Sequence, residues 1–91
     1  METKTGLRLF NQAMEVELYK HEKKKGNSWN DCDLQFLLDK LDEEIKEFKD
    51  ETKPLAKAEE IVDVANICMM LYHRYLNIWG EKVAKFMEKQ S

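Results

Sequence analysis

Apolar residues recur at every third or fourth position along most of this chain, which is the spacing of amphipathic helices. The first predicted helix covers about residues 3–25, and it ends in a basic cluster that suits a helix C-terminus. After a break at Gly26, a second helix is predicted from about Asp31 to Glu51. The clearest apolar stripe in the sequence lies on this second helix: Leu34, Leu37, Leu38, Leu41, Ile45 and Phe48.

The third predicted helix begins at Pro54, which the first turn of a helix tolerates, and it ends at Trp79, before Gly80. A short amphipathic fourth helix is predicted from Glu81 to Lys89. The sequence therefore predicts an all-α fold in the form of an antiparallel helical bundle. Three main helices and a short C-terminal helix would form a single domain over residues 1–91.

The third helix is apolar around most of its circumference between Ile61 and Trp79. Such a helix normally packs on several sides, and this chain has few other helices with which to cover it. A chain of this length also buries only about 60–65% of the surface that its unfolded form exposes. We therefore expect self-association into a homodimer or tetramer to complete the bundle. The alternative is a monomer in which the first and fourth helices cover the third.

Composition and charge narrow the classes of partner. The net charge of −3 and the pI of 5.4 argue against a nucleic acid polymer, because phosphate binding needs a basic surface. We expect no membrane partner, since the sequence shows neither the apolar core of a signal peptide nor a long uninterrupted apolar run. Cys32 and Cys68 lack metal-ligand spacing and are expected to be reduced thiols in a cytoplasmic protein.

Two pairs of carboxylates stand at helical spacing on neighbouring helices. Glu44 and Glu47 lie three residues apart on the second helix, and Glu60 and Asp63 repeat the arrangement on the third. Side chains at i and i+3 share a helix face, and helices joined by a short turn pack as antiparallel neighbours. Four carboxylates facing one gap repel one another, and a hard divalent cation such as Mg²⁺ removes that conflict. Either pair alone would more often be a solvated helix face.

The same residues carry a resemblance to a known family. The chain reads LDEEIKEF on the second helix and AEEIVDVANICMML on the third, with twelve residues between Glu47 and Glu60. This succession of E-x-x-E, a short gap and E-x-x-D resembles the MazG-like all-α nucleoside triphosphate pyrophosphohydrolases. The resemblance covers about residues 25–79, including the leucine stripe before the first motif and the apolar helix after the second.

The resemblance implies that Glu44, Glu47, Glu60 and Asp63 bind Mg²⁺, for which Mn²⁺ can substitute. It implies hydrolysis of a (deoxy)nucleoside triphosphate to the monophosphate and pyrophosphate, by attack of a metal-activated water on the α-phosphorus. Glu44 and Glu47 are the predicted catalytic residues, and which carboxylate accepts the proton of the water stays open. The resemblance further suggests dimers or tetramers and a role in removing aberrant nucleotides.

Four further residues are predicted to bind the substrate. Asn66 is placed to bind a phosphate or the sugar, or else to pack between helices. Trp29 would stack on the base, or else cover the end of the bundle. Lys40 and Lys25 would meet phosphate oxygens, or else lie on a solvated face.

Other functions compete with this interpretation. A di-iron carboxylate bundle needs Glu-x-x-His pairs, and neither His21 nor His73 has a glutamate three positions before it, so we expect ordinary packing or exposure for both. A non-catalytic regulatory or interaction dimer on the same fold would use its carboxylates as ion-pair partners of Arg74 or Lys40. Within the superfamily, a phosphoribosyl-ATP pyrophosphohydrolase or a dUTP-cleaving enzyme would share the motif. The chain is short for the family, and its short fourth helix departs from the family pattern.

Overall fold

A computed structural model describes residues 1–90, apart from the side chains of residues 25, 79 and 81–83. Within this range the chain forms helices and turns and no strand, which confirms the all-α prediction. The α-helices are α1 (Thr3–Lys25), α2 (Leu34–Asp50), α3 (Pro54–Trp79) and α4 (Glu81–Gln90), and a single 3-10 turn spans Ser28–Asn30. Over residues 1–90, no helix combines the length and the hydrophobicity that are needed to cross a membrane.

The predicted boundaries agree with the structure for α1 and α3, whereas α2 begins three residues later than predicted. Asp33 is the N-cap of α2, and its side chain accepts a hydrogen bond from the backbone amide of Gln35 at 3.0 Å. This bond fixes the start of the helix, because it satisfies an amide that has no partner inside the helix. The residues before Asp33 form the separate 3-10 turn instead.

A three-residue turn joins α2 to α3, and Lys57 closes it. The Lys57 ammonium donates to the carbonyl oxygens of Phe48 at 2.6 Å and Glu51 at 3.0 Å, and it lies 4.3 Å from the centroid of the Phe48 ring. The last carbonyls of a helix lack partners within the helix and carry partial negative charge, so they favour a cation at this position. The C-terminal end of α2 is thereby held against the first turns of α3.

The hydrophobic core lies between the first half of α2 and the second half of α3. The buried core residues are Leu37, Ile67, Met70 and Leu71, with Leu18 and Trp29 packed against them. Because α2 begins near the end of α3 and ends near its start, these two helices form an antiparallel hairpin. Helix α1 runs along α3 in the same direction: Asn66 donates to the carbonyl oxygen of Met14 at 3.1 Å, and Leu9 and Leu55 line a groove nearer the two N-termini.

A single copy of the chain buries few apolar side chains. Among the described residues these are Leu37, Val62, Ile67, Met70 and Leu71. The radius of gyration is 15.0 Å, compared with about 12 Å for a compact domain of this length. On α3, Ile61, Tyr72 and Tyr75 are 37%, 54% and 42% exposed. The expected burial of α3 on several sides is therefore not achieved within one chain, because α1 and α4 only border this face and leave its side chains partly exposed.

Candidate metal centre

The two acidic motifs meet at the gap between α2 and α3. Glu44 and Glu47 project from α2, and Glu60 projects from α3 on the other side of the gap. One carboxylate oxygen from each of these three residues lies within 4.8 Å of the other two. Bonds from Mg²⁺ or Ca²⁺ to oxygen are about 2.1–2.5 Å long, so ligand atoms on opposite sides of one ion are about 4–5 Å apart. The three oxygens are therefore close enough to share a single cation.

Asp63, the fourth predicted ligand, lies outside this group of three. It is half-buried and lies one turn beyond Glu60, where it lines a cavity together with Glu17 of α1 and Glu44. Burial raises the pKa of Asp63, and repulsion from Glu17 adds to the rise. Three of the four predicted ligands thus converge on one point, and Asp63 borders the neighbouring space on the side of α1.

The carboxylates in the gap hold protons more tightly than usual. Burial raises the pKa of Glu44 to about 7, and repulsion from Glu47 and Asp63 adds to the rise. Burial also raises the pKa of Glu60, again with a contribution from Glu47. Desolvation and like charge both disfavour the ionised form of a carboxyl group, so this centre attracts positive charge.

Lys40 supplies part of that positive charge. Its ammonium lies 3.4 Å from a carboxylate oxygen of Glu43 and 3.7 Å from one of Glu44. The Lys40 side chain is 40% exposed, and ion pairs of exposed lysines are weak because water screens them. This ammonium lowers the pKa of Glu44 less than burial and the neighbouring carboxylates raise it.

Two buried carboxylate oxygens in the gap need a proton or a cation beside them. Glu44 Oε2 and Glu60 Oε2 are buried and have no hydrogen-bond partner among the described residues. A buried carboxylate oxygen without a donor is costly, and either a proton or a metal ion satisfies it. The three converging groups are all carboxylates, a donor set that suits a hard cation such as Mg²⁺ or Mn²⁺.

We expect the metal-free protein to lose stability as the pH rises from about 5 to about 8. The Glu44 carboxyl has an ordinary pKa of 4.5 in the unfolded chain and a pKa of about 7 in the folded one. The folded state therefore binds more protons between these values, so the stabilisation is full below pH 4.5 and lost above about pH 7. Urea denaturation in EDTA should show a fall in the free energy of unfolding on the order of 2–3 kcal/mol. A profile that is flat or rises over this interval would contradict the assignment.

A cavity of about 220 Å³ opens beside the acidic centre, where α1, α2 and α3 meet. Its polar lining residues are Glu17, His21, Lys40, Glu44, Asp63 and Asn66. It adjoins a second cavity of about 140 Å³, which is lined by Trp29, Phe36 and Leu37. The two cavities share four walls, which are His21, Lys40, Ile67 and Met70. Their combined volume lies at the lower end of the range of ordinary small-molecule sites, about 300–1,000 Å³.

Two of the predicted substrate-binding residues, Asn66 and Trp29, each have a buried polar atom without a hydrogen-bond partner among the described residues. Asn66 is 6% exposed, and its Nδ2 donates to the carbonyl oxygen of Met14, whereas its Oδ1 is buried and unpartnered among the described residues. Trp29 packs edge-on against the His73 ring with centroids 5.3 Å apart, and its Nε1 is likewise buried without a described partner. Lys40 lines both cavities, and the side chain of Lys25 lies outside the described residues.

Glu17 and His21 of α1 also line the first cavity, although neither was predicted to be a site residue. The signal that would have found them is the apolar spacing of α1 itself, since steps of three and four from Met14 reach both positions. Because both residues are polar, they did not stand out as part of the apolar face of α1.

Among the described residues, Arg74 makes no ion pair with the acidic centre, which corrects one form of the non-catalytic interpretation. Its Nη1 donates instead to the carbonyl oxygens of Trp29 at 2.9 Å and Cys32 at 2.7 Å. The guanidinium thus holds the connection between α1 and α2 against α3, and with it the wall of the second cavity that Trp29 forms.

Comparisons with protein-family models, with curated proteins and with solved structures give no match for this chain.

Proposed function

We propose that this protein is a Mg²⁺-dependent nucleoside triphosphate pyrophosphohydrolase, which cleaves a (deoxy)nucleoside triphosphate to the monophosphate and pyrophosphate. The observation that supports it most is the convergence of Glu44, Glu47 and Glu60 within 4.8 Å. One buried oxygen of Glu44 and one of Glu60 have no donor among the described residues. The choice of reaction rests on the resemblance of the two acidic motifs to the MazG-like hydrolases. A role in removing aberrant nucleotides belongs to the same proposal.

In this mechanism, Glu44, Glu47 and Glu60 would hold the metal, and Asp63 would complete the acidic wall. The metal would supply a lowered pKa for its bound water and would offset the charge of the triphosphate. Glu44 and Glu47 also orient the attacking water toward the α-phosphorus. Because Glu47 is exposed, a proton that it accepts passes readily to solvent.

The two adjoining cavities provide room for the rest of the nucleotide. Lys40 borders both cavities and lies next to the acidic centre, where its ammonium can meet a phosphate oxygen. Neither Asn66 Oδ1 nor Trp29 Nε1 has a hydrogen-bond partner within the described part of the chain. In this proposal, Asn66 Oδ1 accepts a hydrogen bond from the sugar, and Trp29 Nε1 donates one to the base. A second copy of the chain completes the helical bundle and covers the exposed face of α3.

The test is incubation of the purified protein with Mg²⁺ and a panel of ribo- and deoxynucleoside triphosphates, followed by chromatography of the products. We expect a monophosphate and pyrophosphate from at least one nucleotide, and loss of both products in EDTA and in the Glu47→Gln variant. Asp42→Asn is the matched control, since Asp42 is a neighbouring exposed carboxylate of α2 that belongs neither to the converging group nor to the described ion pairs of Lys40. Release of orthophosphate alone would contradict the proposed bond cleavage.

A non-catalytic interaction dimer is the second candidate, and the ion pair between Lys40 and Glu44 at 3.7 Å favours it. On this interpretation the acidic residues are structural. No turnover of any nucleotide, by protein that circular dichroism shows to be helical, would decide in its favour.

A further inference from the structure

An apolar stripe runs along the face of α3 that points away from the core. We name it the α3 seam, and it consists of Ile61, Ala65, Cys68, Tyr72 and Tyr75. All of these residues are exposed except the half-buried Ala65. Their steps alternate between four and three, which is the spacing of the contact line between two packed helices. At about 100° per residue the five positions fall within a sector of about 80°, opposite the buried Met70.

One end of the α3 seam meets an apolar groove of about 600 Å³, which is larger than either cavity at the acidic centre. We name it the α1/α3 groove, and its apolar lining includes Leu9, Phe10, Val16, Leu55, Ile61 and Val62. Ile61 belongs to both surfaces, so they form one continuous apolar area. Continuous apolar areas of this kind on a single chain mark surfaces that another molecule covers.

Helix α4 presents an apolar face that its own chain leaves open. Phe86 and Met87 are 63% and 50% exposed, although the Tyr72 hydroxyl donates to the Met87 sulfur at 3.5 Å. This contact places α4 beside the last third of α3. From Val62 to the end of α3 is about 26 Å at 1.5 Å per residue, whereas the ten residues of α4 span about 15 Å. Helix α4 therefore does not reach the α1/α3 groove of its own chain.

We propose that a second copy of this chain packs antiparallel along the α3 seam, with the two-fold axis near Cys68, and that α4 of each copy fills the α1/α3 groove of the other. Leu55 lies 13 residues before Cys68 and Glu81 lies 13 residues after it, so this register puts the start of one α4 beside the groove of the other copy. The arrangement is closed and self-complementary, as dimer interfaces usually are.

Charge complementarity supports α4 as the occupant of the groove. Glu17 and Glu59 line the α1/α3 groove, and α4 carries Lys85 and Lys89 one turn apart. A convex amphipathic helix also fills a concave groove, which two grooves facing each other do not. The inference rests on the self-association included in the proposed function, and it is independent of catalysis.

The first test uses Cys68 as a reporter in a Cys32→Ser background, without metal or nucleotide. Mild oxidation should give a disulfide-linked dimer, and the Cys68→Ser protein, which retains Cys32, should stay uncrosslinked. The next test sets the direction of the helices in a background that lacks both native cysteines. Ile61→Cys and Tyr75→Cys should crosslink when mixed but not alone, because an antiparallel pair centred at Cys68 brings positions 61 and 75 together. Crosslinking of each variant with itself would indicate parallel helices and overturn the proposal.

The occupant of the groove is tested separately. Phe86→Asp should raise the dissociation constant of the dimer by about tenfold or more, measured by analytical ultracentrifugation, because a charge would enter an apolar contact. Gln90→Asp is the control, since it adds the same charge to the end of α4. An unchanged constant for Phe86→Asp would exclude α4 from the groove. A protein that stays monomeric at about 100 μM would overturn the whole inference, whatever its hydrolytic activity.

Discussion

Replacement of Glu44 by glutamine is expected to lower the proposed Mg²⁺-dependent hydrolysis sharply and, at the same time, to make the metal-free protein more stable at pH 8. Removal of a ligand should lower kcat/KM by about 10³-fold, because a bound metal supplies several kcal/mol of transition-state stabilisation. The gain in stability has a separate cause. Burial and repulsion from Glu47 raise the pKa of Glu44 to about 7, so its ionised form is unfavourable in the folded protein at pH 8.

The two effects are measured on the same preparation. Urea denaturation in EDTA should show the Glu44→Gln protein to be more stable than the parent by on the order of 2–3 kcal/mol at pH 8, and nearly equal to it at pH 5. Asp42→Asn should change neither quantity appreciably, since Asp42 is exposed and, within the described structure, makes no ion pair with Lys40. A Glu44→Gln protein that keeps its activity would remove Glu44 from the catalytic centre. If the Glu44→Gln protein is instead less stable than the parent at pH 8, the raised pKa of Glu44 is contradicted.

Replacement of Leu37 by alanine is expected to have the largest effect on folding. Leu37 is 2% exposed, the least of the core side chains among the described residues, and it lies at the contact of α2 with α3. Such a truncation costs about 2–5 kcal/mol through lost burial and the cavity that it leaves. A domain of this length has a total stability of roughly 5–14 kcal/mol, so a large share would be lost.

Leu38 offers a matched control for that experiment. It is the next residue on α2 and has the same side chain, but it is 36% exposed. We expect Leu38→Ala to lower the free energy of unfolding by less than about 1 kcal/mol, as measured by thermal and urea denaturation. Equal losses for the two variants would mean that Leu38 is buried in solution, which self-association through α2 would explain.

The sequence was sufficient to predict the four helices and to predict that the acidic motifs of α2 and α3 lie close together. Periodicity predicted the limits of α1 and α3, and the short connection predicted that α2 and α3 run antiparallel. The start of α2 was placed too early because Asp31 and Asp33 are both good N-caps, and only Asp33 makes the capping bond. Choosing between two adjacent caps depends on the backbone before the helix, which periodicity does not determine.

The sequence predicted that the acidic residues of α2 and α3 face each other, but it did not predict that Asp63 would lie outside the converging group. Positions three residues apart on a helix differ by about 60° around its axis, so Glu60 and Asp63 do not point in the same direction. The rotation of α3 against α2 directs Glu60 toward Glu44 and Glu47, and it leaves Asp63 nearer to α1. That rotation results from the packing of Leu37 on Ile67 and Met70, and the pattern of one helix does not fix it. Glu17 and His21 were missed at the cavity for a different reason, since their polar side chains interrupt the apolar spacing of α1.

The hairpin formed by α2 and α3 carries all three converging carboxylates within residues 44–60, a contiguous stretch around a single tight turn. Only a short loop must close to bring these three carboxylates together, so the loss of chain entropy on closure is small. A cation that bridges Glu44 and Glu60 would act as a crosslink between the two helices, and its binding free energy would add to the stability of the hairpin. Metal affinity and hairpin opening would then be linked quantities, so a substitution that loosens the turn at Lys57 would also weaken the proposed metal binding.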